Sequence, residues 1–398
     1  MIPGPIEVSP AVRDAAAGPP PSHTSPGLIE AFGRSLERMR EVWGADGTAQ
    51  PFVLAGGGTA AMDMAVANLA EPGDAALVVD TGYFSDRIAE MLRRAGADVH
   101  EVQAPVGDAP SPDAVAEALE ELRAKGPVKI LAATHVDTST GVRVDPEPLA
   151  RLAREAGALS IFDGVCATAG ERFEMAAWDV DVYLTASQKA IGLPAGLALM
   201  VASERALAAR KTKRTPPPMM VDWEQWLPIH RAYEERRPSY FSTPATTLIR
   251  ALEVGLGEIL AGGGLEARWE AHRRAAWAMR AGWRALELRP VPVREDLLAT
   301  TLSALWLPEG VDGSLVGRIG EHGVTVAGGL HPEIKTQYFR VGHMGYATTR
   351  PEMLLRTVEA VGRALADAGT GADPEAGVAA AREVLEATQR GHRSPVAS

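Results

Sequence analysis

Between Phe52 and Thr185 the chain alternates short apolar runs with longer amphipathic ones, and this alternation leaves few folds open. Phe52–Ala55, Ala75–Val79, Val99–Val102, Val128–Thr134, Leu159–Phe162 and Val180–Thr185 have the length and apolar content of buried strands. Between them fall the helix-like segments Ala60–Leu69, Ser85–Ala95, one opened by Ser111-Pro112 and stopped at Gly126, and Asp145–Ala156. Strands joined in series by helices need right-handed crossovers, which give a mainly parallel sheet with helices on both faces. An α/β fold is therefore expected. In such a sheet ligands collect beyond the carboxyl ends of the strands. Four polar sites lie just past predicted strands: Gly57–Thr59, Thr138, Asp163 and Lys189.

The flanks suggest how the rest is divided. Residues 1–26 are rich in Pro and Gly and read as an extended arm. A large unit over 27–260 opens with a helical spacing in Leu28–Trp43 and closes with one in Thr246–Leu260. Its stretch 203–245, with Pro216-Pro-Pro218, reads as irregular. Gly262-Gly-Gly264 reads as a hinge before a smaller α+β unit over 261–370. That unit has helices at Leu265–Leu288, Ser314–Glu321 and Pro351–Ala366, and strands at Thr301–Leu307, Val324–Val326 and Tyr338–Val341. A tail over 371–398 is read as a helix at Pro374–Gln389 with fraying last residues.

The formal net charge of −11 argues against a nucleic-acid or anionic-membrane partner. The local basic patch Arg210-Lys-Thr-Lys-Arg214 reads as a solvated loop. Cys166 is the only cysteine, so an intrachain disulfide and a multi-cysteine zinc site are excluded, and no metal is expected. The start of the sequence lacks a basic region followed by an apolar one, and no run reaches membrane-spanning length. A cytoplasmic setting is the expectation.

Lys189 is the one cation of a polar turn between two apolar runs, among Ala186, Ala190, Ile191 and Leu193. Desolvation lowers an amine's pKa and frees its lone pair to attack a carbonyl, although a surface loop lysine looks the same locally. Gly56-Gly-Gly-Thr59 follows a strand and opens a helix. This arrangement suits an anion but also describes an ordinary tight turn. Its spacing is neither a Walker loop nor a dinucleotide fingerprint. Asp163 ends the strand before the lysine's, and Asp163-Gly164 is equally a common turn pair. Together, an amine, a carboxylate and an anion cradle are what pyridoxal phosphate requires.

The sequence resembles the class V, fold-type I aminotransferases, most closely those of alanine–glyoxylate (serine–pyruvate) type. The matching stretches are Pro3-Gly-Pro5, Gly56–Thr59, His135-Val-Asp-Thr-Ser-Thr-Gly141, Asp163-Gly-Val-Cys-Ala167, Thr185-Ala-Ser-Gln-Lys-Ala-Ile-Gly192, Arg210-Lys-Thr-Lys213, Tyr240-Phe-Ser-Thr-Pro244 and Phe339-Arg-Val-Gly-His-Met-Gly345. The resemblance implies a large domain with a seven-stranded sheet, a smaller C-terminal domain and pyridoxal 5′-phosphate as cofactor. Lys189 would carry the cofactor through an imine and move the proton, and Asp163 would pair with the pyridine nitrogen. Gly57, Gly58, Thr59 and Gln188 would hold the phosphate. Thr138 would reach the ring or its hydroxyl, and Phe84 would stack on the ring. Tyr240 and Thr243 would reach the phosphate of the neighbouring subunit in a homodimer with shared sites. Arg340 would grip the substrate carboxylate, and Gly4 would sit in the arm over the substrate. Relatives often have Ser-Gly-His where this chain has Gly57-Gly58-Thr59, so the cradle here leans more on backbone N–H groups. The implied reaction is ping-pong transamination from alanine, or serine, to glyoxylate. A serine–glyoxylate or other class V aminotransferase is the alternative, and after it a lyase or epimerase on the same cofactor. The one thiol, Cys166, is badly placed for desulfuration, since it follows Asp163 by three residues.

Overall fold

The computed structural model describes residues 1–389. Helices α1 (Pro10–Ala17) and α2 (Pro26–Trp43) precede strand β1 (Gln50–Ala55). The expected alternation follows: α3 (Gly58–Leu69), β2 (Ala75–Val79), α4 (Tyr83–Arg94), β3 (Asp98–Val102), α5 (Pro112–Arg123), β4 (Val128–Thr134), α6 (Pro146–Ala156), β5 (Leu159–Asp163), β6 (Val182–Ala186) and β7 (Leu197–Ala202). The seven strands form one sheet in the order β1-β7-β6-β5-β4-β2-β3. Every pair from β6 to β3 is parallel, and β7 runs antiparallel to both of its neighbours. The chain is thus an α/β protein with a mainly parallel seven-stranded sheet. Because β1 and β6 point the same way as β2, β4 and β5, all five deliver their carboxyl ends to one edge.

The arm differs from its expected extended form. Ser9 accepts a hydrogen bond from the Val12 N–H at 3.2 Å, Pro10 takes the first helical position, and α1 forms with Val12 fully buried. Proline at the first turn of a helix costs no hydrogen bond, so the proline-rich composition concealed a helix start. The stretch read as irregular contains α7 (Glu204–Lys211), capped by Ser203, and α8 (Trp223–Glu234), capped by Asp222. Pro228 lies inside α8 and disguises it, while buried Trp223, Trp226 and Tyr233 hold its inner face.

Helices α9 (Thr246–Leu260) and α10 (Gly264–Ala285) flank three consecutive glycines, all with positive φ. A second, antiparallel sheet has the order β8-β10-β9 with β8 (Leu302–Trp306), β9 (Ala327–Gly328) and β10 (Tyr338–Gly342). The strand expected at Val324–Val326 is displaced to the two residues of β9. Helices α11 (Leu315–Glu321), α12 (Pro351–Asp367) and α13 (Pro374–Gln389) complete this part. The expected fraying of the last residues lies outside the described residues. One core surrounds the large sheet, with Phe52, Phe162, Tyr183 and Trp223 buried in it. Another lies among α10, α12 and the small sheet and includes Met279, Trp283, Phe339, Val358 and, from α13, Ala381 and Leu385. Among the described residues no helix is long and apolar enough to cross a membrane.

Candidate active site

Asp163 is the last residue of β5 and is 2% exposed. Its Oδ1 accepts the Val165 N–H at 2.8 Å. Burial pushes its carboxyl up to about 7; the Val165 N–H, Lys189 and Arg87 oppose the rise, and Asp137 adds to it. A buried carboxylate so disfavoured is a group awaiting a cation.

Lys189 lies three residues past β6 and is 8% exposed. Burial lowers its pKa, Arg340 lowers it further, and Cys166 and Asp163 oppose. Its Nζ donates to the Pro3 carbonyl, so the N-terminal arm closes over the amine. The Ile6 N–H donates to the Gln188 carbonyl at 3.2 Å and fastens the arm on its other side. Gly4 adopts φ +99°, and a Cβ there would stand 2.6 Å from the Lys189 Cδ. Both the backbone angle and the close approach require glycine.

The glycine turn after β1 leads straight into α3. Gly57 caps that helix without a side chain, and no acidic residue occupies its first turn. Gly58 packs on the residue that holds Asp163: a Cβ there would lie 2.7 Å from the Val165 Cγ2. Thr59 Oγ1 accepts a hydrogen bond from Arg87 Nη1 at 2.8 Å. Gln188 has its side-chain oxygen buried with no hydrogen-bond partner.

Phe84 is half-buried in the first turn of α4. Its backbone N–H donates to Asp137 Oδ2 at 3.0 Å. Asp137 is fully buried; burial raises its pKa, and hydrogen bonds from Ser139, Phe84 and Ser85 hold it down. A carboxylate at a helix N-terminus is favourably placed, and here it fixes where Phe84 stands. Thr138, next in the chain, is buried and gives its carbonyl to Arg340 Nη1 at 3.0 Å. Arg340 leaves β10 toward the same edge, and its Nε donates to the Gly328 carbonyl at 2.9 Å. It has no carboxylate partner among the described residues, and burial lowers its pKa.

Tyr240 and Thr243 lie apart from this group. Tyr240 is 61% exposed, its hydroxyl is 3.3 Å from Thr243 Oγ1, and neither side chain hydrogen-bonds to the other residues of the set. The basic patch corrects its sequence reading. Arg210 is a buried residue of α7, not part of a solvated loop; its Nη2 meets Asp222 at 2.8 Å and its Nε meets Asn68 at 3.1 Å. Arg210 is therefore committed elsewhere and adds no cation beside Lys189. Sequence reasoning missed Asp137 and Arg87, although Asp137 lies inside a stretch it had singled out.

The comparisons with known proteins agree with this geometry. The model for "Aminotransferase class-V" matches residues 23–344. Alanine–glyoxylate aminotransferase 1 of Saccharomyces cerevisiae is 38% identical over 87% of this chain and 91% of its own length. L-aspartate–glyoxylate aminotransferase of Paracoccus denitrificans is 32% identical over 96% and 95%. The crystal structure of ureidoglycine–glyoxylate aminotransferase from Bacillus subtilis superposes with a TM-score of 0.89 at 27% identity, over 97% of each chain. The fold is that of the fold-type I pyridoxal-phosphate enzymes. Within it, this chain belongs to the class-V aminotransferase family. Its cofactor is pyridoxal 5′-phosphate. The residues present fit that group: a buried amine, a buried carboxylate in need of a cation and a helix N-terminus capped by no side chain.

Proposed function

We propose that the protein transfers the amino group of a small amino acid, alanine before serine, to glyoxylate in a ping-pong cycle. The observation that carries the small-donor reading is Arg340. It is a largely buried guanidinium, close enough to lower the Lys189 pKa, and it has no carboxylate partner among the described residues. It suits one α-carboxylate through charge-assisted hydrogen bonds. A dicarboxylic donor would need a further cation to avoid an unpaired buried charge; Arg210 is occupied elsewhere, and Arg87 is turned to Thr59 and Tyr83 at the glycine turn.

When bound, pyridoxal phosphate supplies the electron sink for the carbanion formed at the substrate's α-carbon. The chain's residues do the rest. Lys189 Nζ holds the cofactor, then takes and returns the α-proton. Asp163 keeps a negative charge at the ring nitrogen. Gly57, Gly58, Thr59 and Gln188 hold the phosphate, and Phe84 and Thr138 bound the ring. The arm at Gly4 excludes water above Lys189. Arg340 belongs to the smaller unit over 261–370, which would meet the large unit over 27–260 around the substrate. The free, buried thiol of Cys166 is in keeping with a reducing, cytoplasmic setting.

The test is a donor-by-acceptor comparison of kcat/KM for alanine, serine, glutamate and aspartate with glyoxylate and pyruvate. Alanine with glyoxylate is expected to lead, and Arg340→Ala should raise KM for both about 10- to 100-fold. If glutamate or aspartate exceeds alanine tenfold, about 1.4 kcal/mol of transition-state preference, the small-donor reading fails.

The same reading makes the active unit a homodimer. Its support is an exposed Tyr240 that lies apart from Lys189 and Asp163: among the described residues its ring meets only His23, at 5.3 Å, and its hydroxyl meets only Thr243. Mixing Lys189→Ala with Tyr240→Ala and re-forming dimers should restore about a quarter of wild-type activity, because half of randomly paired dimers keep one intact site. A fully active monomer in analytical ultracentrifugation at assay concentration would contradict it.

A further inference from the structure

Arg87 stands one turn into α4, directly across from the start of α3. Its Nη1 donates to Thr59 Oγ1 at 2.8 Å and its Nη2 to the Tyr83 hydroxyl at 2.7 Å. The guanidinium carbon lies 4.8 Å from the centroid of the Tyr83 ring and 5.2 Å from that of Phe84. Among the described residues it forms no ion pair with a carboxylate. Two hydrogen bonds and two aromatic faces thus hold a positive charge in place without neutralising it.

The cradle beside it lacks such a charge. Gly57, Gly58, Thr59 and Gln188 are all neutral, and α3 begins without a capping side chain. A phosphate monoester carries roughly 1.5 to 2 negative charges at neutral pH. A helix N-terminus offers the equivalent of only about half a positive charge. A phosphate held by these groups alone keeps most of its charge uncompensated. A planar guanidinium fits phosphate oxygens in pairs, and Arg87 is the charged side chain hydrogen-bonded to this cradle among the described residues.

We propose that Arg87 is the cation of the phosphate cradle, acting with Thr59 to clamp the cofactor's phosphate, and that it makes the site select phosphorylated over unphosphorylated pyridoxal. The inference rests on the reading of Gly57–Thr59 as the phosphate cradle. Its structural rival is that Arg87 only braces Phe84 from behind.

The two part cleanly in binding. Cofactor-free full-length protein would be titrated with pyridoxal 5′-phosphate and with pyridoxal, following absorbance and tryptophan fluorescence, for wild type, Arg87→Gln, Arg87→Lys and Thr59→Val. Both ligands carry the same ring and aldehyde, so the ratio of their Kd values isolates the phosphate. Arg87→Gln is expected to weaken pyridoxal 5′-phosphate about 10- to 100-fold and to leave pyridoxal within about twofold, the scatter expected where no contact is lost. Arg87→Lys should recover part of the loss, because a point charge replaces the fork. Thr59→Val should lose less than Arg87→Gln. Inorganic phosphate should compete with pyridoxal 5′-phosphate in wild type and do so less well in Arg87→Gln. Equal weakening of both ligands would overturn the proposal in favour of the bracing role, as would an unchanged affinity for pyridoxal 5′-phosphate. If wild type itself shows no preference for the phosphorylated ligand, the cradle reading fails, and the Arg87 proposal with it.

Discussion

Replacing Lys189 with alanine is expected to abolish turnover, by about 10⁴-fold, while leaving a folded protein that still binds pyridoxal 5′-phosphate. The amine is buried, its pKa is lowered, and its Nζ makes its one hydrogen bond to the Pro3 carbonyl. Little of the fold hangs on it, so its loss is chemical. In wild type, borohydride should fix the cofactor to Lys189 alone, as read by peptide mass spectrometry. Lys211 and Lys213, at the end of α7 and just after it, are the controls. Lys213 donates to the carbonyl of Ala70, the C-cap of α3 and so the end of that helix opposite the Gly57 turn. Label on either would sink the assignment. A small primary amine added to Lys189→Ala should restore some turnover, because the site would again hold a base where Nζ was. A purely structural lysine would show no such rescue.

The sequence exposes the frame of this site better than its details. Strand ends are local features, set by apolar runs that stop at Gly56, Asp80, His135, Gly164 and Ser187, so the edge that gathers Asp163 and Lys189 could be placed from pattern alone. Arg87 could not. Its significance lies in a 2.8 Å contact across 28 positions to Thr59 and in a missing carboxylate, neither of which is a spacing. Asp137 sat inside the quoted His135–Gly141 stretch, yet its function is to cap a helix that begins 54 positions earlier. Arg210 shows the converse. A run of four basic residues within five positions looks solvated, but one lies on the inner face of α7 and pairs with Asp222. Proline misled at both Pro10 and Pro228, because its effect depends on its place in a helix turn.

Asp163→Asn is expected to cost activity and, without cofactor, to gain stability at neutral and higher pH. Burial pushes the folded-state pKa of Asp163 up to about 7, against an ordinary value of 3.8. A carboxyl raised in this way contributes fully to stability below its unfolded pKa and loses that contribution as pH rises through the folded one. The cofactor-free wild type should therefore lose about 4 kcal/mol from this group between about pH 4 and pH 7. Asparagine does not titrate, so the melting-temperature difference between variant and wild type should move in the variant's favour from pH 5 to pH 8. A difference that stays flat would show that Asp163 is not held as a disfavoured anion. With cofactor bound the order should reverse. On the proposed reading Asp163 would then keep its charge by pairing with the ring nitrogen, where the asparagine could not hold a proton by charge. Cofactor affinity should fall, and the single-turnover rate with alanine should drop about a hundred- to a thousandfold, the usual cost of removing one preorganised electrostatic partner. A near-normal rate would separate Asp163 from the chemistry. Both results together would mean that this strand end is kept unstable by itself because the bound state needs an ionised carboxylate where the fold alone would prefer a neutral one.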